Sequence, residues 1–400
     1  MYWSDALLQY DFGPSHPMLP VRLDLMMRLA GELGVLDEVD LVAPRPATVD
    51  ELTLVHSPSL VDAVQRAGES DIVGDSLHLG HGLGTPDVPT FKSMHEVSSL
   101  VVGATIDAGR AVWSGDTNHA FSPAGGLHHS MRDSVGGFCV YNDVAVAIAS
   151  LLEQGVERIA YVDIDVHHGD GVQTVFWDDP RVLTISLHQH PHTLYPGTGW
   201  SDEIGGPGGE GLAVNVPLPP GTDDSGWLRA LHSIVPPLLS SFRPQVLVSQ
   251  HGCDTHLLDP LANLAISLDA ERVAAEALHT WAHRFAEDRW LVTGGGGYEV
   301  VDVVPRIWTL VMAELSGHPI EPTTRVPEPW RVYVSERLGR VAPLRMTDGA
   351  ETTLTRWQAD AAAVAPAGSV DRAILDTRRA IFPLHGLDPE VDVGLSAEGD

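Results

Sequence analysis

The chain has 400 residues, with 54 acidic against 24 basic side chains and a formal charge of −30 at pH 7. That balance argues against nucleic acid or an anionic membrane surface as a partner, while remaining compatible with a cationic or lysine-bearing substrate. Apolar residues make up 44% of the chain, ample for a core, and Cys139 and Cys253 are the only cysteines, too few for a disulfide framework. Met1 to Ala6 has no basic n-region, and no stretch of about 18 apolar residues runs uninterrupted. A soluble, cytoplasmic protein is the expectation.

In chain order, residues 10–20 carry three prolines and a glycine and read as loop. Leu23, Met26, Met27, Ala30 and Leu33 have helical spacing that ends near Gly34. Two short helices follow over 48–66, broken at Ser57-Pro58. Residues 68–92 are rich in Gly, Asp, Pro and His and predict a long loop with Asp87 inside it. A helix over 94–113 has small residues for close packing. Asn118 to Phe121 reads as a short strand that runs into Ser122-Pro-Ala-Gly-Gly-Leu-His-His-Ser130. Adjacent side chains point apart on an extended chain, so His128 and His129 are each expected to pair with an acid of their own rather than share a metal. A helix from about Val140 to Gln154 places Asn142 and Asp143 in its first turn, where acceptors meet free N–H groups.

The stretch Tyr161-Val-Asp-Ile-Asp-Val-His-His-Gly-Asp-Gly171 is the densest in chemistry. In an extended conformation Asp163, Asp165 and His167 fall on one face, with Ile164 and Val166 on the other. Two carboxylates and an imidazole are rarely buried unless paired or bound to metal. Oxygen and nitrogen donors two residues apart suit zinc or another borderline divalent ion. A short helix follows over 169–177, then strands at 182–187 and 212–216, with a loop between them that holds His188, His190, His192 and Tyr195-Pro-Gly-Thr-Gly199. A helix over 223–240 leads to the strand Gln245–Gln250, which ends in His251-Gly-Cys-Asp254. A helix over 269–286 leads to the strand Trp290–Thr293, which opens onto Gly294-Gly-Gly-Gly-Tyr298. A last core helix runs to about Leu315. Alternating strands and helices predict an α/β fold with a mostly parallel sheet covered on both faces, and ligands in such sheets sit at the C-terminal strand ends. Strand after strand ends there in His128 and His129, Asp163 to Asp170, Tyr195, Asp254 or Tyr298. The four glycines lack the Gly-Lys-Ser/Thr of a phosphate loop, so they are read as letting the backbone pass close to a metal and aiming Tyr298 at it. Residues 317–400 form a C-terminal extension with helical stretches near 352–363 and 371–381, no evident catalytic group, and an acidic tail expected to fray from Asp388.

The set Gly125-Gly-Leu-His-His129, Asp163-x-Asp-x-His-His-Gly-Asp-Gly171, Tyr195-Pro-Gly-Thr-Gly199, Gln250-His-Gly-Cys-Asp254 and Gly294-Gly-Gly-Gly-Tyr298 resembles the histone deacetylase superfamily in order and spacing. The form Gln250-His-Gly-Cys-Asp-Thr-His-Leu-Leu-Asp-Pro260 and the extension resemble its branch of bacterial acetoin-utilisation deacetylases. The resemblance implies a single arginase-like α/β catalytic domain over residues 1–316. It implies Asp165, His167 and Asp254 as ligands of zinc, with iron(II) the alternative in the cell. His129 takes the place of the general base and later acid. His128 is its tandem partner, and Asp163 and Asp170 hold His128 and His129 respectively. Tyr298 takes the place of the oxyanion donor. Gly137, Phe138 and Tyr195 line the acyl-lysine channel, where phenylalanine is common at the place of Tyr195, and Asp87 holds the substrate backbone. A potassium ion is implied at backbone carbonyls around Asp163, Asp165, His167, Ser186 and Leu187.

The chemistry agrees with that assignment. Amide hydrolysis needs an activated water, a polarised carbonyl, a base and an oxyanion donor. The expected activity is removal of acetyl groups from lysines of a cytoplasmic protein or peptide, in this branch thought to include acetyl-coenzyme A synthetase. The rivals are an acetylpolyamine amidohydrolase, which the acidic surface would suit, and an inactive acetyl-lysine binder. The sequence carries no signal for oligomeric state.

Overall fold

The computed structural model describes residues 1–70, 73–74 and 79–391. Parts of the expected 68–92 loop and the last nine residues of the acidic tail lie outside these. The elements in order are α1 (Val21–Glu32), α2 (Val49–Leu52), α3 (Pro58–Glu69), α4 (Met94–Ser114), β1 (His119–Ser122), α5 (Asp143–Glu153), β2 (Ile159–Asp163), α6 (Asp170–Val175), β3 (Val182–Gln189), β4 (Ala213–Leu218), α7 (Asp224–Phe242), β5 (Val246–Gln250), α8 (Leu268–Phe285), β6 (Trp290–Thr293), α9 (Val304–Leu315), α10 (Glu328–Leu338), α11 (Ala359–Val364) and α12 (Val370–Ile381).

The six strands form one parallel sheet in the order β1-β6-β5-β2-β3-β4. Strands β2, β3, β4, β5 and β6 are buried at every position. A parallel sheet with helices on both faces demands such continuous runs. Helices α3, α4 and α5 pack as one group and α7, α8, α9 and α12 as another. The chain starts at the β1 edge, moves to the centre at β2, builds outward through β3 and β4, and then returns to the other side of β2 with β5 and β6. The order therefore reverses between β2 and β5, and a crevice opens beyond the strand ends at such a point. Gln250 is in register with Asp163 and with Thr293, and Thr293 with Ser122, so β1, β6, β5 and β2 end level, while β3, with Ser186 beside Asp163, runs three residues further to Gln189.

The expected continuous strand from Tyr161 to His167 stops at Asp163. Its aspartates cause the break. The Asp163 Oδ1 atom accepts the Asp165 N–H (3.1 Å), and Asp165 Oδ1 accepts the His167 N–H (2.9 Å). Such local side-chain bonds compete with the ladder. Asp163 therefore faces one neighbour and Asp165 and His167 another.

The C-terminal segment packs on the sheet domain. Helix α10 is not among the expected elements; it starts between Pro327 and Pro329, and proline in the first turn suits a helix start. Its buried Trp330 donates to the Leu25 carbonyl (2.9 Å). Helix α12 covers the β4 edge, with Thr377 Oγ1 donating to the Asn215 carbonyl (2.6 Å). Arg378 donates to the carbonyls of Pro389 (2.8 Å) and Val391 (2.7 Å), so the tail is tied down as far as Val391 rather than free from Asp388. Among the described residues, no helix is long and apolar enough to cross a membrane. Both cysteines are unpaired and buried.

Candidate active site

Beyond β2 and β5, Asp165, His167 and Asp254 come together. One ligand atom from each lies within 4.8 Å of the others, and all three residues are buried. His167 Nδ1 is 3.1 Å from both Asp165 Oδ1 and Asp254 Oδ2. Two buried carboxylates this close call for a positive charge or a proton between them. Burial raises both carboxyls, but His128 and His167 hold Asp165 well below the usual range, while Asp254 is pushed up to about 6 by burial and by Asp165. Burial disfavours a charge on His167, yet Asp254 and Asp165 carry it up to about 10. The trio thus seeks positive charge, and an Asp-His-Asp donor set fits a borderline divalent metal.

The backbone closes tightly around these ligands. A Cβ on Gly252 would lie 2.5 Å from the Asp165 carboxyl carbon, and one on Gly296 would lie 2.8 Å from that of Asp254. The other Asp165 oxygen accepts from Gln250 Nε2 and from the Gly296 N–H, both at 2.8 Å. Asp254 Oδ1 accepts the Val166 N–H (2.9 Å). These bonds orient the carboxylates from outside the site.

The two histidines that follow β1 pair with separate acids. His128 Nδ1 is 2.7 Å from Asp163 Oδ2, which also accepts the Tyr161 hydroxyl (2.6 Å), and His129 Nδ1 is 2.6 Å from Asp170 Oδ1. Carboxylates only accept, so both rings carry hydrogen on Nδ1. Their Nε2 atoms face each other at 3.1 Å. Burial works against a charge on His128, but Asp163 and Asp165 raise it to about 9. Burial and the neighbouring His128 lower His129, against the pull of Asp170. Of the two rings, His128 is therefore the one that favours positive charge and His129 the one that stays neutral.

Their loop is fixed by groups at the start of α5. Asp143 accepts the Gly126 and Leu127 N–H groups at 3.0 and 2.8 Å, and Asn142 donates to the carbonyls of His128 and Ser130, both at 3.1 Å. These two side chains thus do more than cap the helix.

The glycine run after β6 brings Tyr298 to the same pocket, whose lining includes His128, His129, Gly137, Asp165, His167 and Tyr298. Buried Arg22 donates to the carbonyls of Gly295 (2.8 Å) and Gly297 (3.1 Å), and Asp259 accepts the Tyr298 N–H (2.8 Å). Burial holds the Tyr298 phenol well above its usual pKa, so it remains a donor. Neither Arg22 nor Asp259 stood out in the sequence. Each acts on backbone far away in the chain, and Asp259 had only its place in the Asp254–Pro260 run as a signal.

Phe138 packs edge-to-face on Tyr298 (centroids 5.6 Å apart) and Tyr195 edge-to-face on His129 (5.1 Å). Tyr195 stays half exposed at the mouth. Asp87 Oδ2 accepts the Gly137 N–H (2.8 Å), which brings this acid to the rim. The candidate ligands, the histidine pair with its acids, Tyr298 and the Asp87, Gly137, Phe138 and Tyr195 rim are thus linked by direct contacts, whereas His190 and His192 pack against Trp200 instead.

The family model described as the histone deacetylase domain matches residues 16–315. The chain belongs to the histone deacetylase family. It is 38% identical to the acetoin utilization protein AcuC of Bacillus subtilis over 87% of this chain and 89% of that protein. It is 36% identical to AcuC of Staphylococcus xylosus, over 82% and 85% respectively. A crystal structure of a histone deacetylase homologue from Aquifex aeolicus superposes with a TM-score of 0.77 at 31% identity, covering 88% of this chain and 95% of that one. The chain is thus a deacetylase of the AcuC-like branch, in a family of metal-dependent hydrolases.

Proposed function

We propose that this deacetylase is a cytoplasmic, zinc-dependent enzyme that removes the acetyl group from lysine side chains of a protein substrate, with acetyl-coenzyme A synthetase as a candidate target. The observation that carries the reading is the buried Asp165-His167-Asp254 trio facing the His128–His129 pair across one pocket. Asp165, His167 and Asp254 hold the metal, zinc or iron(II). When bound, it polarises the acetyl carbonyl and lowers the pKa of water.

The chain's own groups do the rest. His129 Nε2 accepts the proton of the attacking water, with Asp170 fixing the ring through Nδ1–H. The same ring returns that proton to the departing lysine nitrogen. His128, backed by Asp163, keeps positive charge next to it. The Tyr298 hydroxyl donates to the oxygen that becomes negative in the tetrahedral intermediate. Gly137, Phe138 and Tyr195 line the path of the acyl-lysine, and Asp87 at the rim receives a backbone N–H of the substrate. A potassium ion belongs at the backbone carbonyls near Asp163, Asp165, His167, Ser186 and Leu187, a placement supported by the register of Asp163 against Ser186. The family match over residues 16–315 supports a catalytic domain over residues 1–316, with an extension from 317 that packs on it.

The reading is tested by kcat/KM of the zinc-loaded protein on acetyl-lysine peptides and on acetylpolyamines. Acetyl-lysine peptides should be the better substrates. A tenfold advantage for acetylputrescine or acetylspermidine would move the assignment to an acetylpolyamine amidohydrolase.

A further inference from the structure

At the opposite end of the sheet, three histidines that the deacetylase site does not use meet at one point. His119 is the first residue of β1, and His279 and His283 stand one turn apart on α8. One ring nitrogen from each lies within 4.8 Å of the others. The rings are mutually edge-on or tilted, with centroids 4.7 to 4.9 Å apart, and His279 stacks on Trp290.

The hydrogen bonds around the cluster decide its chemistry. His119 Nδ1 faces the Leu315 carbonyl (3.0 Å), His279 Nδ1 the Glu314 carboxylate (2.8 Å) and His283 Nδ1 the Asp288 carboxylate (2.6 Å). Carbonyls and carboxylates only accept, so each ring bears its hydrogen on Nδ1 and leaves Nε2 as a lone pair. Yet His279 Nε2 and His283 Nε2 are 3.0 Å apart, and His119 Nε2 is buried with no hydrogen-bond partner. Lone pair against lone pair repels unless a cation sits between. One shared proton would relieve His279 and His283 but leave His119 Nε2 buried and unsatisfied.

We propose that His119, His279 and His283 form a second metal site for a borderline divalent transition ion such as Zn²⁺, Ni²⁺, Cu²⁺ or Co²⁺. Neutral imidazole nitrogens suit these ions and not Mg²⁺ or Ca²⁺, which take oxygen. Histidine nitrogens bind zinc at about 2.0–2.1 Å, which in a tetrahedron sets them roughly 3.3–3.4 Å apart; His279 and His283 already stand at 3.0 Å, and the His119 nitrogen lies within 4.8 Å of both. The second nitrogen of a ligating histidine is usually held by a carboxylate or carbonyl, and all three rings have one. His283 is 44% exposed at its side chain, which gives the ion a way in and leaves a fourth position for water. The ion would tie the start of β1 to α8, with α9 supplying Glu314 and the Leu315 carbonyl.

The test is zinc binding to the chelator-stripped full chain, by calorimetric titration with metal analysis after dialysis. Wild type should bind two ions per chain. Asp254→Ala should keep one, and its Tm should still rise with zinc. The double variant His279→Gln/His283→Gln should also keep one, with deacetylase kcat unchanged. His283→Ala alone removes an exposed ring without disturbing the core, and should weaken the second site tenfold or more while its zinc-free Tm matches wild type. One ion per wild-type chain, or equal stoichiometry in wild type and the histidine variants, would overturn the proposal and leave a proton-sharing cluster.

Discussion

A Cβ on Gly137 would lie 2.6 Å from Cγ of the His129 ring and closer still to Cδ2. The ring cannot retreat, because it is buried and held by Asp170. Gly137 also has a φ of +55°, which disfavours any side chain. Gly137→Ala should therefore displace the proton acceptor directly. We expect kcat to fall on the order of 10²-fold and stability to fall by about 1–3 kcal/mol. Steady-state kinetics and denaturant unfolding check both.

Arg22 is the brace of the Gly294–Gly297 turn. Its guanidinium serves the Gly295 and Gly297 carbonyls and lies over the Trp308 ring. Arg22→Met keeps most of the volume but leaves both carbonyls without that donor. Tyr298 then loses its fixed approach, so kcat should drop by about tenfold or more. Metal content measured after dialysis should match wild type, since Arg22 touches none of the three ligand side chains.

How far the sequence disclosed this molecule depended on range. The Asp163–Gly171 run, the paired histidines and Asp254 were legible because period two and strand-end glycines are local signals. The break after Asp163 was not, because it depends on aspartate oxygens capturing particular backbone N–H groups. Arg22 and Asp259 reach the site through backbone 273 and 39 residues away, and no local pattern marks such contacts. Helix α10 starts between two prolines and is not among the expected elements. The His279-x-x-x-His283 pair lies on a helix expected from the sequence only as a connecting element, and its third member comes from a strand 160 residues earlier.

Glu51 offers a pH test away from the catalytic crevice. Its carboxylate takes two bonds from Arg45 and one from Arg110, each 2.8 Å, and closes the capping box with Thr48. The Arg45 hydrogen bonds, aided by the Thr48 N–H and Arg110 and opposed by burial, pull Glu51 down to about 2 from 4.5. A depressed carboxyl pKa contributes stability that is present above the unfolded value and lost as pH falls through the folded one. Wild type should exceed Glu51→Gln by on the order of 1–2 kcal/mol near neutral pH, after solvent screening. The gap should close as pH falls from about 4.5 towards 2. Urea unfolding of both proteins between pH 7 and pH 3 reads this directly. A gap independent of pH would show that the loss is packing rather than charge.

The most direct measurement of the central claim is kcat on an acetyl-lysine peptide for wild type and Tyr298→Phe, with metal content matched. The substitution keeps the ring against Phe138 and removes only the hydroxyl. A donor placed for the oxyanion favours the transition state over the bound substrate. The account predicts turnover by wild type and a fall of about 10²–10³ in Tyr298→Phe, roughly 3–4 kcal/mol, with peptide binding unchanged. Equal kcat in the two proteins, or binding of the peptide by both with no turnover by either, would contradict it.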